Sequence, residues 1–232
     1  MVMFGGFPDA ILGSVFALTG KFKEFRHGLP FRASTGQIRV NSEVGRWISH
    51  LSAASTVKTI VEVGTWRGNG STRCIAEGLS RRSVSDAQAY CLEVDSAMAR
   101  EAKRRIGHNP HMTVAWGRLI EICELDSEGL SAQEEAWFRA DVQAMELAPN
   151  VFDTLPAVID LLVLDGGEFS TYAEFERLRN RVAQWIVLDD TQTRKGSRIL
   201  DWVLSDANSE FHLAFESTER NGVAVLVRFS GG

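Results

Sequence analysis

Two groups of residues in this chain have types and spacing that could do chemistry. The first is Glu62, Gly64, Gly68, Gly70 and Ser71, which follow the apolar run Thr59-Ile60-Val61 and open a new amphipathic stretch. Glycines let the backbone turn sharply and approach a ligand, and the free amides at a helix N-terminus favour an anion, either a phosphate or a carboxylate. Glu93 closes the next apolar run, Tyr90-Cys91-Leu92. An acid at that position, about thirty residues past the first, can accept hydrogen bonds from ribose hydroxyls. Its competing role, capping the helix that starts at Ser96, suits Asp95 better. The second group is Asp165, Asp189 and Asp190, which end two later apolar runs. Neighbouring strands lie about 4.8 Å apart, so these carboxylates can converge at one sheet edge and hold a hard divalent cation such as magnesium. Without a cation they would repel one another. The simpler alternative is that Asp165 or Asp190 caps the following helix or touches a bound ligand.

Such residues need a scaffold that delivers them to one edge. Short apolar runs at 58–63, 89–94, 112–116, 160–164 and 185–188 read as strands, and amphipathic stretches at 71–81, 96–106, 170–182 and 195–205 read as helices between them. That alternation predicts a parallel sheet covered on both faces. Two last runs, 211–216 and 223–229, are joined through Asn221-Gly222, a strong hairpin signal. Asn41 is the expected cap of an earlier helix whose apolar face carries Val44, Trp47, Ile48 and Leu51. Residues 1–40 read as an N-terminal extension and 41–232 as the domain. The segment 121–156 is longer than a strand-to-helix connection needs, and 133–147 reads as an inserted helix with Trp137, Phe138, Val142 and Met145. Such an insertion covers the active site or is a structural appendage.

Composition narrows the partners. The chain has 232 residues, 44% of them hydrophobic, and a formal net charge of -5. This is an ordinary globular composition without the basic footprint of a nucleic-acid binder. Cys74, Cys91 and Cys123 are scattered without C-x-x-C spacing, so a disulfide framework and a zinc site are not expected, and a reducing, cytoplasmic setting fits. Gly5, Gly6, Pro8, Asp9 and Gly13 interrupt the apolar start, so no membrane span is expected, and a basic leader region is missing. That arm is expected to form a homo-oligomer contact, a lid, or a segment packed on its own domain. The five histidines show no ligand spacing. Trp66, Trp116, Trp137 and Tyr172 are expected in the core, with pocket lining as the alternative.

The stretches VEVGTWRGNGST, CLEVD, VAWGRLIE, LLVLDGG and WIVLDD resemble, in order and spacing, the successive motifs of class I S-adenosylmethionine-dependent methyltransferases, over about residues 58–230. The acids closing the fourth and fifth strands resemble those of the metal-dependent O-methyltransferases. The resemblance implies a Rossmann-like α/β fold: a mostly parallel seven-stranded sheet with an antiparallel C-terminal hairpin and helices on both faces. It also implies that Glu62, Gly64, Gly68, Gly70, Ser71, Glu93, Gly117 and Asp165 bind S-adenosylmethionine. Asp165, Asp189 and Asp190 would bind Mg2+ or another divalent cation.

The activity that the resemblance implies is O-methylation of a small-molecule hydroxyl, on a saccharide or a phenolic compound, with a cation lowering the hydroxyl pKa. The chain departs from the catechol-type pattern in two places. It has Gly167-Glu168-Phe169 where those enzymes carry a lysine base shortly after the fourth-strand acid, and Asp-Asp where they carry Asp-Asn. Glu168, with Asp165, is therefore the expected catalytic pair. The competing readings are a metal-independent methyltransferase, a non-catalytic scaffold or sensor that binds S-adenosylmethionine, and a nicotinamide-dependent dehydrogenase. The terminal hairpin and Glu62 argue against the last of these.

Overall fold

The computed structural model describes residues 38–83, 86–205 and 207–229. The N-terminal arm, with its expected role in oligomer contact or lid formation, lies outside the described residues. Seven strands form one sheet: β1 (Thr59–Val63), β2 (Gln88–Glu93), β3 (Met112–Trp116), β4 (Ile159–Leu164), β5 (Val182–Asp189), β6 (Phe211–Ser217) and β7 (Val223–Arg228). Among the described residues the α-helices are α1 (Glu43–Ala53), α2 (Ser71–Ser80), α3 (Ser96–Ile106), α4 (Ala132–Leu147), α5 (Thr171–Leu178) and α6 (Arg194–Leu204).

The strand order is β3-β2-β1-β4-β5-β7-β6. The first five strands pair in parallel, and β7 is antiparallel to both β5 and β6. This is the expected sheet with its terminal hairpin. The connections reverse direction between β1 and β4, which opens a crevice at the carboxyl ends of these strands, where ligands of open α/β sheets bind. The central strands are apolar on both faces because helices cover both. Val61, Val63, Leu162 and Leu164 pack in one core with Phe169, Phe175 and Ile199, whereas Ile60, Leu161 and Val163 pack in another with Ile48, Cys74 and Ile75. Ile38, ahead of the expected domain start, is buried in the second core.

Local chemistry sets the element ends. Ser42, not Asn41, caps α1, its hydroxyl accepting from the Gly45 amide. Asp95 caps α3 by accepting from the Ala97 and Met98 amides, which leaves Glu93 for another task. Ser131 and Glu134 form a reciprocal capping box at the start of α4, so the inserted helix is present as expected. The helix expected over 170–182 stops at Leu178. Residues Arg179–Arg181 make a tight turn, and β5 starts at Val182, three residues before its expected start, where Val182 pairs with Ile159. Among the described residues, no helix is long and apolar enough to cross a membrane.

Candidate active site

The crevice is a cavity of about 440 Å³, within the usual range of small-ligand sites. Its walls include Gly64, Thr65, Trp66, Gly70 and Ser71 from the loop after β1, Glu93 from β2, and Gly117 after β3. Asp165, Gly166 and Glu174 follow β4, Asp190 and Lys195 follow β5, and Arg220 comes from the hairpin turn. Two residues of the inserted α4, Asp141 and Met145, close it from the side. The insertion thus borders the cavity.

The loop after β1 is held from below. Glu62 is fully buried, and its carboxylate accepts from the hydroxyls of Thr65 and Thr72, one at the loop's start and one inside α2. Burial pushes its pKa up to about 7 against the pull of these hydroxyl donors. Glu62 does not line the cavity among the described residues; it is the brace beneath the loop rather than a wall of the cavity. From β2, Leu92 accepts both the Gly64 and Thr65 amides at 3.0 Å. Gly64 has φ +92°, and a Cβ there would lie 2.0 Å from the Asp165 carbonyl oxygen, so only glycine lets β1 and β4 end this close together. Gly68 has φ +75°, and a Cβ there would lie 3.1 Å from Ala102 Cα of α3, which makes it a loop-to-helix packing residue.

Glu93 lies at the cavity edge, 8% exposed, with Oε2 accepting the Trp66 amide at 2.5 Å and Oε1 the Asp95 amide at 2.9 Å. Burial raises its pKa, while these amides oppose the shift. The sheet places Gly117 beside it, with the Gly117 amide donating to the Glu93 carbonyl. Opposite, Asp141 and Glu174 add two further carboxyls to the walls. Burial, aided by Glu168, raises Asp141 to about 6. Burial raises Glu174 to about 7, and its Oε2 is buried without a hydrogen-bond partner among the described residues.

Asp165, Asp189 and Asp190 converge, with one carboxylate oxygen of each lying within 4.8 Å of the others. Sequence reasoning missed what sits among them. The Lys195 ammonium donates to Asp165 Oδ1 at 2.8 Å and to Asp190 Oδ2 at 2.9 Å. Lys195 is 5% exposed; burial would depress its pKa, but Asp165, Asp190 and Asp189 together outweigh that and raise it. Arg220 donates to both oxygens of Asp189, at 2.9 Å and 3.4 Å. Asp189 is still raised to about 6, by burial first and then by Asp165. The Ser71 hydroxyl donates to Asp165 Oδ2 at 3.2 Å, and Asn221 donates to Asp190 Oδ1 at 3.0 Å.

All six carboxylate oxygens of the cluster therefore have a protein donor. As arranged, this donor set does not suit a divalent cation, because the buried Lys195 ammonium already bridges Asp165 and Asp190 and would repel a second cation beside it. No signal in the sequence singled Lys195 out, since a lysine at a helix start ordinarily points to water.

The turn geometry explains how the lysine arrives there. Asp190 adopts φ +57°, a left-handed conformation that aspartate tolerates better than most residues. Thr193 caps α6, and a Cβ on Gly196 would meet Thr191 Cα at 2.9 Å, so the helix starts hard against the end of β5. The Thr191 and Gln192 amides donate to the Gly222 and Asn221 carbonyls, which fastens the turn after β5 to the hairpin turn that carries Arg220. Glu168, the expected base, has its carboxylate on the Thr193 hydroxyl and the Lys195 amide, both at 3.3 Å, at the start of α6. It is absent from the cavity wall among the described residues. Trp66 lines the cavity and is 40% exposed, with the Arg67 guanidinium over its ring. Trp116 and Trp137 are exposed rather than core residues, and Tyr172 is half-buried under the Arg198 guanidinium.

No protein-family model matches the chain, and no curated protein matches it in sequence. In structure it is similar to an O-methyltransferase from Bacillus cereus in complex with SAH, at 15% identity and TM-score 0.55, covering 95% of this chain and 90% of that one. It is also similar to the SAH-bound methyltransferase PaMTH1 of Podospora anserina, at 15% identity and TM-score 0.57, covering 99% and 100% of the two chains. A third likeness, at 14% identity and TM-score 0.56, is to the SAM-bound O-methyltransferase TomG of Streptomyces achromogenes, covering 83% and 82%. With this strand order and terminal hairpin, and with its likeness to these structures, the chain has the Rossmann-like fold of class I methyltransferases.

Proposed function

We propose that this chain is an S-adenosylmethionine-dependent methyltransferase acting on a hydroxyl of a small molecule, a saccharide or a phenolic compound. The observation that carries the reading is one cavity that joins Glu93, the loop after β1 and Asp165 at the carboxyl ends of adjacent strands. The similar structures that hold SAM or SAH support the same ligand here.

The donor set suits such a ligand along its whole length. Glu93 keeps spare lone pairs for a ribose diol, since each carboxylate oxygen can accept more than the one amide it already has. The first turn of α2 leaves amides without intrahelical partners, which favours a carboxylate beside Gly70 and Ser71. Asp165 offers an acceptor for an ammonium group at the same end. Gly117 and the apolar side chain of Met145 line the same cavity as Glu93, and we assign the purine to that part of it.

Bound S-adenosylmethionine supplies an electrophilic methyl group on a sulfonium that departs as a neutral thioether. The protein's part is then to hold the acceptor oxygen in line with that methyl, to keep water out and to let the hydroxyl proton pass to a bordering carboxylate, Asp165 or Asp190, as the O–C bond forms and the C–S bond breaks; positioning alone yields large rate factors. Asp165, Asp190 and Lys195 border the end of the cavity where the acceptor would lie. We assign Glu168 to holding the start of α6, and with it Lys195, rather than to proton transfer.

Calorimetry with S-adenosylhomocysteine, followed by labelled-methyl transfer to a panel of hydroxylated acceptors, tests the reading. Saturable binding with transfer to one acceptor class supports it. Absence of any S-adenosylhomocysteine binding rejects it.

A further inference from the structure

We infer that the Lys195 ammonium is the resident cation of the Asp165–Asp189–Asp190 cluster, so that this site works as a carboxylate–ammonium centre in which no divalent cation binds. Three independent features converge on this. The first is that donors of the chain already reach every carboxylate oxygen, with one ammonium bridging two of the acids: Lys195 and Ser71 donate to Asp165, Lys195 and Asn221 to Asp190, and Arg220 to both oxygens of Asp189. A divalent ion entering here would have to displace donors and sit beside a buried ammonium.

The second feature is the charge count. Three carboxylates face two fixed cations, Lys195 and Arg220, leaving one net negative charge. At the 2.8–2.9 Å of the closest pairs, electrostatic attraction in a partly buried site is already large. The repulsion that makes a bare acidic triad recruit a metal is therefore relieved from within the chain.

The third is the local cost of placing the lysine where it is. The N-terminus of a helix repels cations, yet α6 begins Arg194-Lys195 with no acid in its first turn. Each of the two is matched by carboxylates from elsewhere, Arg194 by Asp126 at 3.1 Å and Lys195 by the cluster. Gly196 and the left-handed Asp190 bring the helix close enough for the ammonium to reach. A side chain that is 6% exposed, set against the helix dipole and held by two carboxylates, is a built component.

An ammonium has three N–H donors, and the two aspartates take two of them. Lys195 also borders the cavity, so its third N–H is available to an oxygen of a bound ligand, a hydroxyl or a carboxylate. In this way the fixed cation positions an oxygen that a metal would otherwise hold.

The test is a Mn2+ titration of the intact protein followed by water-proton relaxation, with and without S-adenosylhomocysteine, in wild type, Lys195→Met and Lys195→Arg. The wild type and Lys195→Arg are expected to show no saturable site up to millimolar Mn2+. Lys195→Met, which keeps most of the stem and removes the charge, should gain a saturable site at least tenfold tighter. Saturable micromolar binding by wild type that disappears in Asp190→Asn overturns the inference, and so does a folded Lys195→Met protein that gains no site. The wild-type titration decides even where the methionine variant does not fold. Because the readout is metal binding, its result stands apart from the methyltransferase reading, which the S-adenosylhomocysteine calorimetry tests separately.

Discussion

The Ser71 hydroxyl donates to the Asp165 carboxylate across 3.2 Å, joining the first residue of α2 to the residue after β4. The other oxygen of the same carboxylate accepts from Lys195, so Asp165 links the anion-binding helix start to the cation of the cluster. Replacing the hydroxyl should be the milder change: Ser71→Ala is expected to cost about 1.5 kcal/mol of stability, the low end for a hydrogen bond to a charged group because this one is long at 3.2 Å. Asp165→Asn strips the ammonium of one of its two carboxylates and removes an acceptor from the cavity. It should lower both S-adenosylhomocysteine affinity and turnover by roughly tenfold or more, since about 1.4 kcal/mol is a factor of ten. Equal behaviour of the two variants in calorimetry and in urea melts would contradict this division of labour.

Glu93 carries two loads at once, and the substitution should reveal both. Glu93→Ala removes the acceptor for the Trp66 and Asp95 amides as well as the proposed ribose contact. The expected result is a loss of about 1–3 kcal/mol in stability and a fall in S-adenosylhomocysteine affinity on the order of a hundredfold. Glu93→Gln keeps one oxygen and should fall between. A variant that is destabilised but binds S-adenosylhomocysteine with wild-type affinity would leave Glu93 as a loop brace and nothing more.

The two positive-φ glycines of the loop should respond differently to the same change. Gly64→Ala would drive a methyl into the Asp165 carbonyl oxygen at 2.0 Å, a backbone atom fixed by the sheet. Gly68→Ala meets Ala102 at 3.1 Å, where a shift of a few tenths of an ångström suffices. Strain and overpacking together should cost Gly64→Ala about 3 kcal/mol or more, against about 1–2 kcal/mol for Gly68→Ala. Chemical denaturation measures both. Comparable losses would mean that the ends of β1 and β4 separate more easily than the sheet geometry implies.

The buried Glu62 gives the protein a pH signature. Its folded value, about 7, lies above the ordinary 4.5, so the folded state keeps a proton that the unfolded chain gives up. The stabilising contribution is therefore complete below pH 4.5 and is lost as the pH rises toward 7. The slope approaches about 1.4 kcal/mol per pH unit within that window. Glu62→Gln retains an oxygen for Thr65 and Thr72 but cannot ionise. Urea melts at pH 5 and pH 8 should show a smaller drop for the variant than for wild type. Parallel losses in the two proteins would show that Glu62 does not titrate across this window.

How far the sequence could be read depended on whether a residue's role is set by its own neighbours or by distant ones. The alternation of runs, the Asn221-Gly222 hairpin and the acids at strand ends are local patterns, and each is present in the fold, with the boundary between α5 and β5 displaced. Local patterns also misled in places. Glu62 precedes a glycine loop as a ligand-binding acid would, but β1 is buried on both faces, so the side chain turns under the loop to the hydroxyls of Thr65 and Thr72. Glu168 follows the β4 acid as a base would, yet the start of α6 claims it. Lys195 escaped notice because its partners are Asp165, thirty positions away, and Asp190 across a left-handed turn. Trp116 looked like core, but the end of β3 is a sheet edge, where its indole donates to the Val94 carbonyl and stays exposed.

The fastening of the turn after β5 to the hairpin turn has a consequence for how the chain comes together in time. Asp189, 2% exposed, ends a central strand, and its guanidinium partner arrives only with residue 220. During synthesis the sheet core through β5 precedes that residue, so a growing chain holds Asp189 without Arg220 until the last hairpin emerges. An uncompensated buried carboxylate opposes consolidation of the strand end. The hairpin thus acts as a closing clasp, and the cluster reaches its balanced form only once residue 220 is available. Arg220→Ala in the full-length protein reproduces the unclasped state, and hydrogen exchange is expected to be faster in residues 188–192 and 220–223 than in β1 and β4.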